Sequence, residues 1–126
     1  MKKVAIIGAG ISGLYLANIL NNHAEFNYKI FEKKDDFNFS EGYGIQLSVN
    51  SVKLLNKIGF KNLPASDVYF PRKVNFFQSN NFKKICDIDL NQFNDDINRY
   101  TTTKRSTLLK FLLENIPNDK IKFNTT

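Results

Sequence analysis

The feature that most constrains this chain is a glycine-rich run near its N-terminus. The run Gly8-Ala9-Gly10-Ile11-Ser12-Gly13 satisfies the pattern G-x-G-x-x-G. Residues 4–7 before it are apolar and rich in β-branched side chains, which is typical of a strand buried on both faces of a parallel sheet. Residues 14–20 after it have the composition of a mostly buried helix. A strand, a glycine loop and a helix in this order favour a dinucleotide-binding βαβ unit.

Each glycine of the run has its own predicted role. Gly8 permits the tight turn, Gly10 lets the backbone approach a pyrophosphate, and Gly13 lets the helix pack closely on the strand. The start of the helix adds free N–H groups and a partial positive charge. We therefore assign the three glycines to a cofactor site, together with Ala9 and Ser12 of the same loop.

An acidic residue stands where the ribose of a dinucleotide would lie. The second predicted strand, residues 28–31, ends at Glu32, about 20 residues beyond Gly13. A carboxylate there accepts hydrogen bonds from ribose hydroxyls and repels a 2′-phosphate, so FAD or NAD is favoured over NADP. Lys33 is assigned to the same site. The alternative is a glycine-rich turn followed by an exposed glutamate, and the agreement of strand, loop, helix and acid argues against it.

The rest of the chain continues with mixed elements. Residues 42–47 read as extended chain, followed by a helix capped by Asn50 or Ser51 and ended by Gly59 in a left-handed conformation. The apolar face of that helix is predicted to contain Val52, Leu54, Leu55 and Ile58. Residues 74–78 and 84–90 predict an antiparallel hairpin. A helix over residues 106–115, stopped by Pro117, and a strand over residues 121–123 complete the pattern.

Composition excludes several classes of function. The formal net charge is +6, but the lysines are scattered in pairs and there are only three arginines, so we predict no nucleic-acid surface. Cys86 is alone, and no Cys/His cluster has metal-ligand spacing, so we expect no disulfide, no metal site and a cytoplasmic location. No segment is long and apolar enough to span a bilayer. The expected partner is a small molecule, and the oligomeric state is left open.

Two further segments resemble a known family. Residues 41–50, EGYGIQLSVN, resemble the G-x-G-I-x-L-x-P-N segment of aromatic-ring flavoprotein monooxygenases, although Val49 replaces the proline. The family includes salicylate hydroxylase, zeaxanthin epoxidase and hydroxylases of ubiquinone biosynthesis. Residues 104–109, KRSTLL, resemble the family's R-x-x-L segment. The resemblance implies FAD as the cofactor, with Gly44 and Arg105 near the flavin.

The resemblance also implies a fold and its organisation. We expect an α/β chain that forms a partial Rossmann-type FAD-binding domain with the start of an antiparallel substrate-side sheet. Residues 1–70 would hold the βαβ unit and flavin-side segment, residues 71–100 a hairpin insertion, and residues 101–126 a returning helix and strand. The family's later D-G and G-D segments have no counterpart in the sequence, so we expect the N-terminal part of the pattern.

The implied activity is oxygenation of a small aromatic or olefinic substrate with O₂, with NAD(P)H as external reductant. Because the flavin carries the chemistry, no catalytic residue is assigned. Two alternatives remain open. One is an NAD-dependent dehydrogenase built on the same βαβ unit, and the other is a nonenzymatic remnant that folds only in part.

Overall fold

The computed structural model of the chain describes residues 1–40 and 42–125. Glu41, the first residue of the segment that resembles the monooxygenases, therefore lies outside the described residues. In chain order, the elements are β1 (Lys2–Ile7), α1 (Ile11–Asn21), β2 (Phe26–Phe31), β3 (Gly44–Leu47), α2 (Val49–Asn56), β4 (Val68–Tyr69), β5 (Lys73–Phe77), β6 (Lys84–Asp89), β7 (Thr101–Lys104), α3 (Arg105–Leu113) and β8 (Ile121–Lys122). None of the described helices has the length and apolar character needed to cross a membrane.

The chain divides into two compact units, Met1–Tyr43 with Lys104–Thr126, and Gly44–Thr103. The first unit, here called the loop unit, contains a three-stranded parallel sheet in the order β1-β2-β8. Strand and helix alternate from β1 to β2, as the sequence predicts, and the predicted α/β class is confirmed. The C-terminal strand β8 pairs with β2, a partner that the sequence pattern did not identify.

The core of the loop unit lies between its sheet and its helices. Ile6 of β1 lies opposite Ile30 of β2, and both side chains are buried. Leu14 of α1 and Leu112 of α3 are fully buried. Asn18 joins the two helices, because its side-chain amide donates to the backbone oxygens of Leu14 and Leu112 at 2.9 and 2.7 Å. A buried amide is satisfied in this way instead of being left unpaired.

The other face of β1 differs from the prediction. The sequence predicts a strand buried on both faces, but Ile7 is 83% exposed whereas its neighbour Ile6 is 5% exposed. Successive side chains of a strand point to opposite faces. Ile6 therefore faces the core, and Ile7 faces a side that no described residue covers.

The second unit, here called the sheet unit, is built around α2 and the strand order β3-β7-β4. Strands β4 and β7 are antiparallel. The helix begins after Ser48, so the predicted caps Asn50 and Ser51 are wrong. Both lie inside the helix because Ser48 is the last residue with extended backbone before it. Gly59 has φ +96°, which confirms the predicted left-handed residue.

The apolar face of α2 is narrower than predicted. Val52 and Leu55 are buried with Phe60 in the core of the sheet unit. Leu54, which was assigned to the same face, is 48% exposed. A residue directly before Leu55 points about 100° away from it around a helix, so only one of the two enters the core.

The predicted antiparallel hairpin is confirmed in the sheet unit. Strand β5 pairs with β6, and the register places Val74 opposite Ile88 and Phe76 opposite Cys86. Every residue of β6 is exposed. The helix predicted over residues 106–115 is also present, with bounds at Arg105 and Leu113.

Candidate dinucleotide-binding site

The glycine loop connects β1 to α1 by a turn that only glycine adopts readily. Gly8 has φ +94°, a left-handed conformation that strains other residues. Its amide donates to the backbone oxygen of Phe31 at 2.8 Å, so the turn is fastened to the end of β2. The sequence assigns Gly8 to a tight turn, and its backbone fits that role.

The room available for a side chain differs between Gly10 and Gly13. A Cβ on Gly13 would lie 2.1 Å from the backbone oxygen of Gly8, a distance that packed atoms do not reach. A Cβ on Gly10 would meet nothing within 4 Å. Gly13 is therefore required by the packing of helix on strand, whereas the space beside Gly10 is open to a ligand.

The start of α1 offers backbone donors toward that space. Gly10 precedes the helix in extended conformation and, having no side chain, forms no side-chain capping hydrogen bond. The backbone oxygen of Gly10 accepts the amide of Leu14 at 2.9 Å, which is the first hydrogen bond of the helix. Uncapped N–H groups at a helix start, together with the helix dipole, favour an anion. Ser12 is exposed in the first turn beside them.

Glu32 is held beside the loop by two backbone amides. Ala9 donates to Oε2 at 2.7 Å, and Lys34 donates to Oε1 at 3.0 Å. These hydrogen bonds, the one from Lys34 first, lower the pKa of the Glu32 carboxyl, against the opposing effect of burial. The amide of Ala9 is thus already engaged by Glu32. The carboxylate is charged and fixed in place before any ligand arrives.

Lys122 of β8 and the residues after it are hydrogen-bonded to the end of β2, a contact that the sequence does not predict. The amide of Glu32 donates to the backbone oxygen of Lys122 at 2.9 Å, and the oxygen of Glu32 accepts the amide of Thr125 at 3.0 Å. The oxygen of Lys34 accepts the amide of Asn124 at 3.0 Å. These partners are about 90 residues apart, so no local pattern signals them.

A cavity of about 510 Å³ lies beside this arrangement. Its lining residues are Ile7, Gly8, Phe31, Glu32, Lys33 and Thr125. Three of them, Gly8, Glu32 and Lys33, are predicted site residues. The apolar walls and Thr125 were not predicted. The volume is within the usual range for small-molecule sites.

The two remaining predicted site residues lie in different units. Arg105 begins α3 in the loop unit, where its amide donates to the oxygen of Tyr43 at 3.1 Å. Its guanidinium lies 5.8 Å from the centroid of the Tyr43 ring. Gly44 begins β3 in the sheet unit, and a Cβ there would meet Thr102 at an ordinary 3.8 Å. Packing therefore does not require glycine at position 44.

Comparison with known proteins places this geometry in context. Residues 6–40 match the family described as an NAD(P)-binding Rossmann-like domain. The FAD-dependent monooxygenase ntnA of Nectria sp is 40% identical over 57 residues, which are 45% of this chain and 7% of that protein. The FAD-dependent monooxygenase atnA of Arthrinium sp is 39% identical over 57 residues, which are 45% of this chain and 8% of that protein. The matched segment is thus a small part of each relative.

Solved structures share the fold of nearly the whole chain. A variant of Klebsiella pneumoniae HpxO complexed with FAD has a TM-score of 0.77 at 19% identity, covering 98% of this chain and 31% of that one. HpxO complexed with FAD and uric acid has a TM-score of 0.75 at 20% identity, covering 97% and 30%. A variant of MHPCO has a TM-score of 0.78 at 20% identity, covering 98% and 32%. The Rossmann-type fold and the resemblance to FAD-dependent monooxygenases are therefore confirmed.

Proposed function

We propose that this chain binds FAD as part of a flavin-dependent monooxygenase. The observation that carries the proposal is the glycine loop with Glu32 fixed beside it. The loop leaves open space at Gly10 and uncapped amides at the start of α1, and the carboxylate lies next to a cavity of suitable size. These residues fit the pyrophosphate and ribose of a dinucleotide.

Gly8 and Ala9 shape the site, since Gly8 forms the turn and the amide of Ala9 holds Glu32, and the other predicted residues would contact the cofactor. The start of α1, from Gly10 to Gly13, would hold the pyrophosphate, and Ser12 is exposed at that end. Glu32 would accept the ribose hydroxyls, with Lys33 beside it. Gly44 and Arg105 are assigned to the flavin end on the family resemblance. Glu32 is ionised at neutral pH and can therefore accept hydrogen bonds, as ribose binding requires, and its lowered pKa extends this state to lower pH.

When bound, the flavin would take electrons from NAD(P)H and pass oxygen from O₂ to the substrate. The chain's own part is to bind and orient the cofactor. We propose a small aromatic or olefinic substrate and a cytoplasmic location. The relatives named as FAD-dependent monooxygenases and the FAD complexes of similar fold support the flavin assignment. Since the chain spans only a small part of the relatives and about a third of the solved structures, the full activity is part of the proposal.

An NAD-dependent dehydrogenase is the second candidate, and the match of residues 6–40 to an NAD(P)-binding family favours it. The loop presents the same groups to the pyrophosphate and ribose of both dinucleotides. The choice between them therefore depends on a binding experiment.

The test is incubation of the purified chain with FAD or with NAD, followed by gel filtration and an absorbance spectrum of the protein peak. We expect the parent chain to retain FAD. The Gly10→Val and Glu32→Ala variants should each retain at least about 10-fold less FAD than the parent. Gly10→Val directs its side chain into open space, because a Cβ at this position meets nothing within 4 Å. Two matched variants at exposed positions, Ala24→Val and Glu114→Ala, should retain FAD.

The other outcomes decide among the alternatives. Retention of NAD without FAD would support the dehydrogenase. Retention of neither, with a broad noncooperative unfolding transition, would support a nonenzymatic remnant. Flavin retained equally by all variants would show that it binds elsewhere and would overturn the site assignment.

A further inference from the structure

A second cavity, of about 790 Å³, lies in the sheet unit and is lined by cations. Arg72, Lys73 and Arg99 line it, and none of the described residues that line it carries a carboxylate. Within the described part of the chain, neither Arg72 nor Arg99 forms an ion pair. Two of the three arginines in the sequence therefore face one cavity without a neutralising partner. This cavity is called the arginine groove below.

Two carboxylates of β6, Asp87 and Asp89, already have partners, and Lys73 of the groove is one of these partners. Asp87 forms an ion pair with Lys73 at 3.2 Å and a second one with Lys84. Asp89 accepts the amide of Asn91 at 2.9 Å. Lys73 is thus partly neutralised, and the positive charge of the groove comes mainly from the two guanidinium groups. Asp96 lines an adjoining cavity of about 450 Å³, which shares Arg99 with the groove.

Aromatic rings form another part of the groove. Tyr69 is 68% exposed and Phe70 is 44% exposed, although both are large apolar side chains. The guanidinium of Arg99 lies 5.7 Å from the centroid of the Phe70 ring, in a cation–π arrangement that orients its donors. The side chains of Asn91 and Asn94 also line the groove. Charge, exposed rings and amide groups are therefore together in one concave surface.

We propose that the arginine groove binds a nucleoside phosphate. A guanidinium matches phosphate oxygens with paired hydrogen bonds, and it does so better than an ammonium group. Exposed aromatic rings give a base a surface on which to stack, and side-chain amides can hydrogen-bond its edge. The volume is within the range of small-molecule sites. The groove belongs to the sheet unit, whereas the glycine loop belongs to the loop unit, so this inference does not depend on the flavin assignment.

The test uses the 126-residue chain carrying Gly10→Val, so that the glycine loop contributes no phosphate binding. AMP, adenosine and inorganic phosphate are titrated separately by calorimetry, at low and raised salt. We expect AMP to bind at least about 10-fold more tightly than adenosine or phosphate, since it offers both the ring and the charge. Raised salt should weaken AMP binding, because the interaction is between exposed charges.

Substitutions of the two arginines test whether AMP binds in the arginine groove. Arg72→Gln and Arg99→Gln should each weaken AMP binding at least about 10-fold, and Arg99→Lys should have an intermediate effect because it keeps the charge and loses the planar fork. Lys57→Gln removes the same charge at an exposed position of the same unit outside the groove, and it should change little. Thermal unfolding of each variant checks that the fold is kept.

Three results would overturn the proposal. The first is no AMP binding in the Gly10→Val chain. The second is AMP binding that both arginine variants leave unchanged. The third is equal affinity for AMP and inorganic phosphate. This result would mean that the rings of Tyr69 and Phe70 do not contribute to binding and that the groove is only a site for simple anions.

Discussion

At the scale of single residues, Gly10 and Gly13 show how similar glycines serve different purposes. Gly13 is close to the backbone oxygen of Gly8, so the approach of helix to strand depends on a missing side chain. Gly10 has open space at its Cβ position and φ −78°, a conformation that any residue adopts. Packing explains the first glycine, whereas the second has no packing role and fits the proposed dinucleotide site.

This contrast gives a prediction about folding stability. Gly13→Ala should lower the free energy of unfolding by about 1–3 kcal/mol, because the added methyl group meets backbone that cannot move aside easily. Gly10→Ala should change it by less than about 1 kcal/mol. Urea unfolding followed by circular dichroism measures both. Equal losses at the two positions would contradict this account of the loop.

Glu32 gives a prediction about pH. Its pKa is lowered in the folded chain by the amides of Lys34 and Ala9, so the unfolded chain binds more protons in the interval below the ordinary value of about 4.3. The stabilising contribution is therefore complete above that value and is lost as the pH falls through the lowered folded value.

The measurement is the urea midpoint from pH 7 to pH 3 for the parent and Glu32→Gln. The parent should be the more stable at pH 7, and the difference should shrink on acidification below about pH 4.3. Asp87 and Asp95, whose pKa values are also lowered, are present in both chains, so their effects cancel. Glu114→Gln is the control at an exposed position. A difference that stays constant with pH would show that hydrogen bonding to the charged form is not the cause.

At the scale of elements, the two faces of the hairpin of β5 and β6 carry different kinds of side chain. Lys73, Lys84 and Asp87 form ion pairs on one face. Val74 pairs with Ile88, and Phe76 pairs with Cys86, on the other. Within the described residues, all of β6 remains exposed, so the hairpin gains little from burial. Exposed ion pairs contribute only about 0–1 kcal/mol, and they do not replace a core.

Hydrogen exchange should therefore distinguish the hairpin from the parallel sheet. We expect backbone amides of β6 to exchange at least about 100-fold faster than that of Ile30 in β2, since a two-stranded ribbon is marginally stable and opens locally. Ile30 is fully buried between β1 and β8. Exchange followed residue by residue by NMR gives the comparison. Similar protection in both strands would mean that the hairpin is covered in solution.

At the scale of the whole molecule, the two units have separate cores, and the two proposed binding surfaces belong to different units. The loop unit buries Ile30, Leu108 and Leu112, and it contains the glycine loop. The sheet unit buries Val52 and Leu55, and it contains the arginine groove. Three of the 18 Lys and Arg residues line this groove, so part of the positive charge is concentrated at one place. The sequence alone shows only scattered lysines and few arginines.

Features that depend on neighbouring residues could be predicted from the sequence. The tight turn at Gly8, the left-handed residue Gly59, the order of strand, loop and helix, and the hairpin all follow from local chemistry. Backbone conformation and side-chain periodicity act over a few residues. The predicted helix boundaries were less accurate, because α2 begins directly after Ser48, before the predicted capping residues Asn50 and Ser51.

Contacts between distant segments could not be predicted from the sequence and are seen only in the folded chain. Strand β8 pairs with β2, and Asn124 and Thr125 are hydrogen-bonded to the residues after β2. Arg72 and Arg99 line the same cavity although 26 residues separate them in the sequence. The exposure of Ile7 is of the same kind, because a strand's pattern does not reveal which of its faces another element covers. Such contacts depend on how whole elements pack, and no local pattern encodes that packing.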